Sequence, residues 1–417
     1  MNSRQRLIKT LNHEQTDKVV MDIGATPQTG ISASVLYQLR EALGLEKKPV
    51  TVHEPFQILG QVDEDLRQAI GVDVVGLFSP YNAIGMKNEN WKPWSMPDGT
   101  PTLVAEKFEY DVKDGDTYIY PQGDRSCEPS MILPEGGYFF DAINRSKGFD
   151  EDNLNGSEDF QDDFSLYTDE VAKSFEEQAN HYFSNTQYGI IGNFAGMALG
   201  DAGALPGQFL KEVKGIRKMD DWLMAHMLWP DYIKEIFELQ TEIALKNLEI
   251  YKQAVGDKIQ VITVSPTDFG TQNREIISPD SFRQLYKPYY KKVNNWIHKN
   301  TNWKVFFHTC GSIYNLLDDL HECGVDVLNP VQCSATGMEP DALKEEYGDK
   351  FVFWGGGVDT QQTLPFGTPQ EVREEVAYRI KTFNNNGGFV FSTIHNIVGK
   401  TPIENLLALL DEVKQYK

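Results

Sequence analysis

Two short segments carry residue types that could hold a metal. One reads Phe306-Phe307-His308-Thr309-Cys310-Gly311, the other Thr393-Ile394-His395-Asn396-Ile397. Each follows a β-branched or aromatic apolar run, 305–307 and 389–391, and so reads as the end of a buried strand emerging into a loop. Side chains at i and i+2 of a strand point to one side, which lets His308 and Cys310 share one ligand. Neutral imidazole nitrogen plus thiolate sulfur is a donor set that Zn²⁺ favours, and a third ligand from a distant strand leaves one position open for substrate. His395 is the candidate for that third ligand, with Cys333 as the alternative. Without a metal, the same residues read as a hydrogen-bonded strand-end histidine, a small buried cysteine and a histidine contacting a phosphate or carboxylate.

The elements that must position these residues form a regular series. Short apolar runs recur at 19–23, 72–77, 188–194, 259–265, 305–308, 325–329, 351–355 and 389–394, separated by helical patterns. Strands alternating with helices imply right-handed βαβ crossovers and a parallel sheet. Eight such units predict a (β/α)₈ TIM barrel, a single α/β domain over residues 1–417. Helix starts agree: Thr401-Pro402-Ile403-Glu404 and Thr368-Pro369-Gln370-Glu371 read as capping boxes, and Ser278-Pro279 supplies a cap and a first-turn proline. Residues about 80–170 break the rhythm, being rich in Gly, Pro, Asp and Asn, with alternating runs on either side of a hairpin turn at Asp114-Gly115. They predict a β-rich insertion after the second strand, at the barrel mouth, serving as a lid or docking surface.

In a barrel, side chains at the C-terminal ends of strands face the active site. His308 and Cys310 end the fifth strand and His395 ends the eighth, so all three open onto one mouth. Other strand ends add polar groups: Asp268 after the fourth, Asp359 and Gln361 after the seventh, Asn193 ending the third and Asp22 in the first. A carboxylate there could act as acid, base or orienter of a ligating histidine, which makes Asp268 and Asp359 the catalytic candidates. Asn193, Gln361, Asn396 and Asp22 are the candidates for substrate contact. Each also has a plainer role open to it, capping a helix or bracing a loop. Cys323, in a helix end closed by Gly324, reads as structural.

Composition narrows the partners. With 39 basic and 61 acidic side chains the formal charge is −22, and no Lys/Arg stripe offsets it, so nucleic acid and anionic lipid are poor partners. No apolar stretch approaches the ~20 residues of a membrane span. Four unevenly spaced cysteines make no disulfide framework, and the N-terminal residues show no apolar signal core; both fit a reduced cytoplasm.

Several stretches together are similar to the uroporphyrinogen decarboxylase superfamily of barrels. They are Asp268-Phe269-Gly270-Thr271-Gln272, Ile277-Ser278-Pro279-Asp280-Ser281-Phe282, Lys287-Pro288-Tyr289-Tyr290-Lys291, Phe307-His308-Thr309-Cys310-Gly311, Gly356-Gly357-Val358-Asp359-Thr360-Gln361 and residues 387–402. The superfamily's decarboxylases bind a polycarboxylate tetrapyrrole with an arginine-bearing N-terminal segment. Here the first strand is followed by Asp22-Ile23-Gly24-Ala25-Thr26-Pro27-Gln28-Thr29-Gly30, which has no arginine. The chain more closely resembles the corrinoid-dependent methyltransferases, which carry His-x-Cys after the fifth strand and a third zinc ligand after the eighth. That resemblance implies zinc at His308, Cys310 and His395, with His395 standing where the coenzyme M methylases have cysteine. It further implies transfer of a methyl group from a small, preferentially O-methyl, donor to the cob(I)alamin of a separate corrinoid protein. Nothing in the chain resembles a cobalamin-binding motif, so the cobalamin arrives with that partner; a second copy of the chain is a further candidate partner. The competing expectation is a decarboxylase-like lyase that recruits Arg125 and Arg145 from the insertion.

Overall fold

Eight strands carry the core in the computed structural model, which describes residues 1–198 and 200–416. They are β1 (Val20–Met21), β2 (Val74–Leu77), β3 (Gly189–Asn193), β4 (Val261–Ser265), β5 (Lys304–His308), β6 (Val327–Asn329), β7 (Val352–Trp354) and β8 (Phe389–Phe391). All pair in parallel, in the order β1-β8-β7-β6-β5-β4-β3-β2. The seam between β1 and β2 is bridged by Asp73. Its N–H donates to the Met21 carbonyl at 2.8 Å, and its carboxylate accepts from the Met21 N–H at 3.1 Å. Arg6 and Lys18 neutralise that carboxylate at 2.7 and 3.2 Å. The result is the (β/α)₈ barrel that the eight apolar runs predict.

The strands are apolar on both faces because one face lies under helices and the other fills the barrel. Val20, Val74, Ile191, Val261, Phe306, Val327, Val352 and Val390 make the inner layer, plugged from below by Leu7 and Leu11 of the helix Ser3–Leu11. Two residues further along each strand, the same inward face carries Asp22, Gly76, Asn193, Thr263, His308, Asn329, Trp354 and Ser392. One step toward the mouth thus turns a packed core into a mostly polar floor. Gly76 is required there by space: a Cβ would lie 1.9 Å from the Ala25 carbonyl oxygen and 2.7 Å from Asn193 Nδ2.

Asp22 belongs to this floor as a structural group, not as a substrate contact. It is fully buried, its Oδ1 accepting from Ala25 N–H at 3.0 Å and its Oδ2 from the Trp354 indole at 2.9 Å. Burial pushes its carboxyl up to about 6 from an ordinary 3.8. The folded state therefore binds more protons than the unfolded one in that window, and stability falls as pH rises through it. Asp22→Asn cannot accept from both donors and carries a fixed cost of about 1–3 kcal/mol. Between about pH 4 and pH 7, however, the variant should gain roughly 3 kcal/mol relative to the parent. Urea denaturation across that range checks this; a gap that does not move with pH refutes it.

Two small sheets lie outside the barrel. Leu59–Gly60, Val50–Glu54, Pro101–Val104 and Lys92–Ser95 form one; Asp141–Ala142, Met131–Leu133, Asp116–Ile119 and Tyr110–Lys113 form the other. The expected hairpin is present: Lys113 pairs with Asp116, and Asp114 and Gly115 take φ of 53° and 92°. The first sheet, however, borrows two strands that precede β2, so the extra β structure is not confined to residues after it. Thr368 makes the expected capping box and Ser278 caps its helix. Thr401 does not cap: its hydroxyl donates to the Val398 carbonyl at 2.8 Å, and the last helix starts at Ile403 behind Pro402. No helix among the described residues is long and apolar enough to cross a membrane.

Candidate metal centre and its cavity

His308 faces the barrel mouth because Phe306, two residues earlier, faces the interior. Its cross-strand partner in the β5–β6 register is Asn329, and the two side chains meet, Nδ1 to Oδ1 at 2.7 Å. The Asn329 amide is itself fixed by donation from Nδ2 to the Trp354 carbonyl at 2.8 Å. Its Oδ1 must therefore accept, His308 Nδ1 carries the proton, and the Nε2 lone pair is left free. Cys310 Sγ lies 3.5 Å from that nitrogen.

The turn holding Cys310 is tied down at nearly every residue. Thr309 N–H donates to the Asn329 carbonyl at 2.7 Å, Cys310 N–H to Asp268 Oδ1 at 2.7 Å and Gly311 N–H to Gln332 Oε1 at 2.8 Å. Gly311, at φ 89°, admits the Gly270 backbone to within 2.3 Å of where a Cβ would stand. His395 is held by its neighbours. Ile394 N–H donates to the Val358 carbonyl at 3.1 Å, and Asn396 spans the loops after β1, donating to the Pro27 carbonyl at 2.8 Å and Gln57 Oε1 at 2.7 Å.

One ligand atom each from His308, Cys310 and His395 lies within 4.8 Å of the others. Tetrahedral zinc with bonds of ~2.0–2.3 Å separates its ligands by roughly 3.3–3.7 Å, so the three need only a small closure to share an ion. Electrostatics suit a cation as well. Burial lowers His308, and burial plus its histidine neighbour takes His395 down to about 4, so both rings are neutral with lone pairs to give. Burial and the Asp268 and Asp201 carboxylates push the Cys310 thiol well above its ordinary value, which makes a thiolate there dependent on a compensating positive charge. Cys333 stands apart from the cluster, its thiol donating to the Val331 carbonyl at 3.3 Å.

The histidines open into a cavity of about 800 Å³ whose walls include Asn193, Thr263, Phe306 and Asp268. Strand ends of the small sheets and the segments that connect them contribute Glu54, Phe56, Tyr81, Phe139, Phe140 and Asp141 to the same walls. Asp268 lies 3.5 Å from His308 Nε2, where it can orient ligands or substrate. Asp201, which no sequence motif signals, stands beside it with the Asp268 backbone N–H among its partners. Its Oδ1 accepts from Gly203 and Ala204 N–H at 2.8 and 3.1 Å. Desolvation, reinforced by the Asp268 charge, pushes Asp201 up to about 7.

Other sequence candidates serve the scaffold. Asp359 is buried and spends Oδ1 on the N–H groups of Gln361 and Gln362, at 2.6 and 2.9 Å, capping a turn outside the cavity wall. The Gln361 side chain is exposed, also away from the cavity. Asn396 is the strut described above. Arg125 pairs with Asp111, and Arg145 donates to the Gly207 and Leu210 carbonyls at 2.7 Å each, so neither faces the mouth.

Residues 209–416 match the model of the uroporphyrinogen decarboxylase (URO-D) family. That part of the chain is a URO-D family domain. It is 24% identical over 189 residues, 45% of its length, to the methylcobamide:CoM methyltransferase MtaA of Methanosarcina barkeri. The protein of the same name from M. barkeri (strain Fusaro / DSM 804) is 23% identical over 194 residues. The chain spans about half the length of these curated relatives, 50% and 52%. A solved structure, a methyltransferase from Methanosarcina mazei, shares the fold over 100% of this chain and 99% of its own, with a TM-score of 0.54 and 18% identity.

Proposed function

We propose that the protein is a zinc-dependent methyltransferase that moves a methyl group from a small donor, an O-methyl compound by preference, to the cob(I)alamin of a separate corrinoid protein. The observation that carries this reading is the convergence of His308, Cys310 and His395 within 4.8 Å at the barrel mouth. The methyltransferase relatives and the lack of cavity-facing arginine support it over a decarboxylase acting on a polyanion.

A zinc ion bound by these three side chains would supply Lewis-acid charge at a fourth, open position. The chain's own residues do the rest. Asn329 holds His308 in the tautomer that presents Nε2. Asp268 fixes the Cys310 backbone and sets a carboxylate beside the ligand pair. Asp201, in the wall of the same cavity, would supply a proton near neutral pH to a leaving oxygen that departs as a poor alkoxide or phenoxide. The enclosing loops limit water around the group being displaced.

The test is metal content of protein purified without chelator, joined to the absorbance change of cob(I)alamin methylation when donor and corrinoid protein are supplied. About one zinc per chain and corrinoid-dependent demethylation are expected. Uroporphyrinogen decarboxylation without a corrinoid would overturn the reading. A narrower prediction concerns Asn329→Ala: losing the Nδ1 acceptor should weaken zinc affinity roughly 10–100-fold, measured by competition with a chromophoric chelator. Unchanged affinity would mean that Asn329 does not orient the ligand.

A further inference from the structure

The cavity's polar groups share one sign. Glu54, Asp141, Asp201 and Asp268 line it, and among the described residues no lysine or arginine does. His53, also in the wall, adds no charge, since burial holds it down to about 4. A divalent ion held by one thiolate contributes a single positive charge, and even with Asp201 and Glu54 both counted as neutral, Asp141 and Asp268 outweigh it.

A second observation is independent of the acids. Asn193 and Gln208, 9% and 5% exposed, also line the cavity, and Asn193 Oδ1 and Gln208 Oε1 have no hydrogen-bond partner. For Asn193 the amide orientation is set by donation from Nδ2 to the Ala25 carbonyl at 2.9 Å, so the orphan is an acceptor. A buried acceptor left unpaired costs about 1–3 kcal/mol, which a ligand bearing donors can relieve. The wall also includes the aromatic side chains of Phe56, Tyr81, Phe139 and Phe140, a residue type whose ring faces attract cations.

We propose that the part of the methyl donor left behind after transfer is an organic cation, an ammonium-bearing group seated between Glu54, Asp141 and the aromatic wall. This rests on the methyltransferase reading for the word donor, but the binding preference stands by itself. Glu54 is the principal contact. Its two oxygens accept from Phe56 and Gln57 N–H at 3.0 and 2.8 Å, which fixes the carboxylate, and among the described residues it has no cationic partner. Burial pushes it up to about 7 against the two backbone donors, and a bound ammonium would favour its ionised form and offset that penalty.

A matched series of aryl methyl ethers tests this on the zinc-loaded protein: 4-methoxybenzylammonium, 4-methoxybenzyl alcohol and 4-methoxybenzoate. Calorimetric titration should rank the ammonium at least roughly ten-fold tighter than the alcohol, with the benzoate weakest. Glu54→Gln should reduce the ammonium-to-alcohol ratio by about ten-fold. Asp141→Asn, at an exposed position with little bearing on folding, should reduce it by a smaller factor. Equal binding of benzoate and ammonium, or no binding of any member, overturns the inference. Methyl transfer to cob(I)alamin is scored separately. Cation-selective binding without transfer would sink the methyltransferase reading and sustain this one; transfer from all three at equal efficiency would do the reverse.

Discussion

Cys310→Ala is expected to abolish zinc binding and lower methyl transfer by at least about 10³-fold, the loss of several kcal/mol of charge stabilisation at the reacting centre. The sulfur is the only anionic member of the trio, and without it two neutral imidazoles must hold a dication unaided. The Cys310 thiol meets His308 Nε2 at 3.5 Å and faces the Asp268 carboxylate, while the backbone bond to Asp268 survives substitution. The barrel should therefore keep its circular dichroism, so that failure to fold cannot mimic failure to bind. His308→Ala should also fail, though it additionally strands Asn329 Oδ1 in a buried site and costs stability. Atomic absorption on dialysed protein and the cob(I)alamin assay provide the two readouts. Turnover that persists without Cys310 would remove the metal from the mechanism.

Asp201→Asn should leave zinc content intact yet lower kcat by roughly 10²–10⁴-fold, the usual worth of a positioned general acid. The sign of the pH dependence follows from a carboxyl pushed up to about 7. The active form is the protonated one, so the parent's rate falls as pH rises through about 7, and the variant's residual rate should lack that limb. A variant with full kcat, or with the same alkaline limb, would return Asp201 to the role of loop brace suggested by its bonds to Gly203 and Ala204. A donor whose leaving group needs no proton should be far less sensitive to the change, which separates acid catalysis from mere positioning.

How much could be read from residues alone follows from what sequence can encode locally. All eight barrel strands were legible because a strand buried on both faces must be apolar at consecutive positions. The three candidate ligands could be picked out because they end or closely follow such runs, and the structure brings their donor atoms within 4.8 Å of one another. The errors came from the same rule. Asp22, Asp359 and Asn396 also lie at or just past strand ends, but their oxygens are consumed by Ala25, Gln361 and Gly30 N–H groups. Nothing in the residue order tells whether a carboxylate will meet a ligand or a backbone amide. Val50–Glu54 was overlooked although it alternates, its pattern being half-buried rather than continuous. Asp201 gave no signal, because a lone acid among glycines and alanines has no periodicity to betray it. Glu54 reaches the cavity only through pairing between segments far apart in the chain, a three-dimensional fact without a local cue.

The candidate ligands and the outer walls of the cavity come from different parts of the polypeptide. His308, Cys310, Asn329 and His395 ride on β5, β6 and β8, in the C-terminal half, whereas Glu54, Tyr81, Phe139 and Asp141 ride on segments outside the barrel ladder. The chemistry and the choice of molecule are thus physically decoupled. On the proposed reading, exchanging the segments on either side of β2, up to the helix Asp169–Asn185, can re-aim the catalyst at another compound while its reactive end is inherited unchanged, a division of labour on which both natural divergence and laboratory grafting can draw.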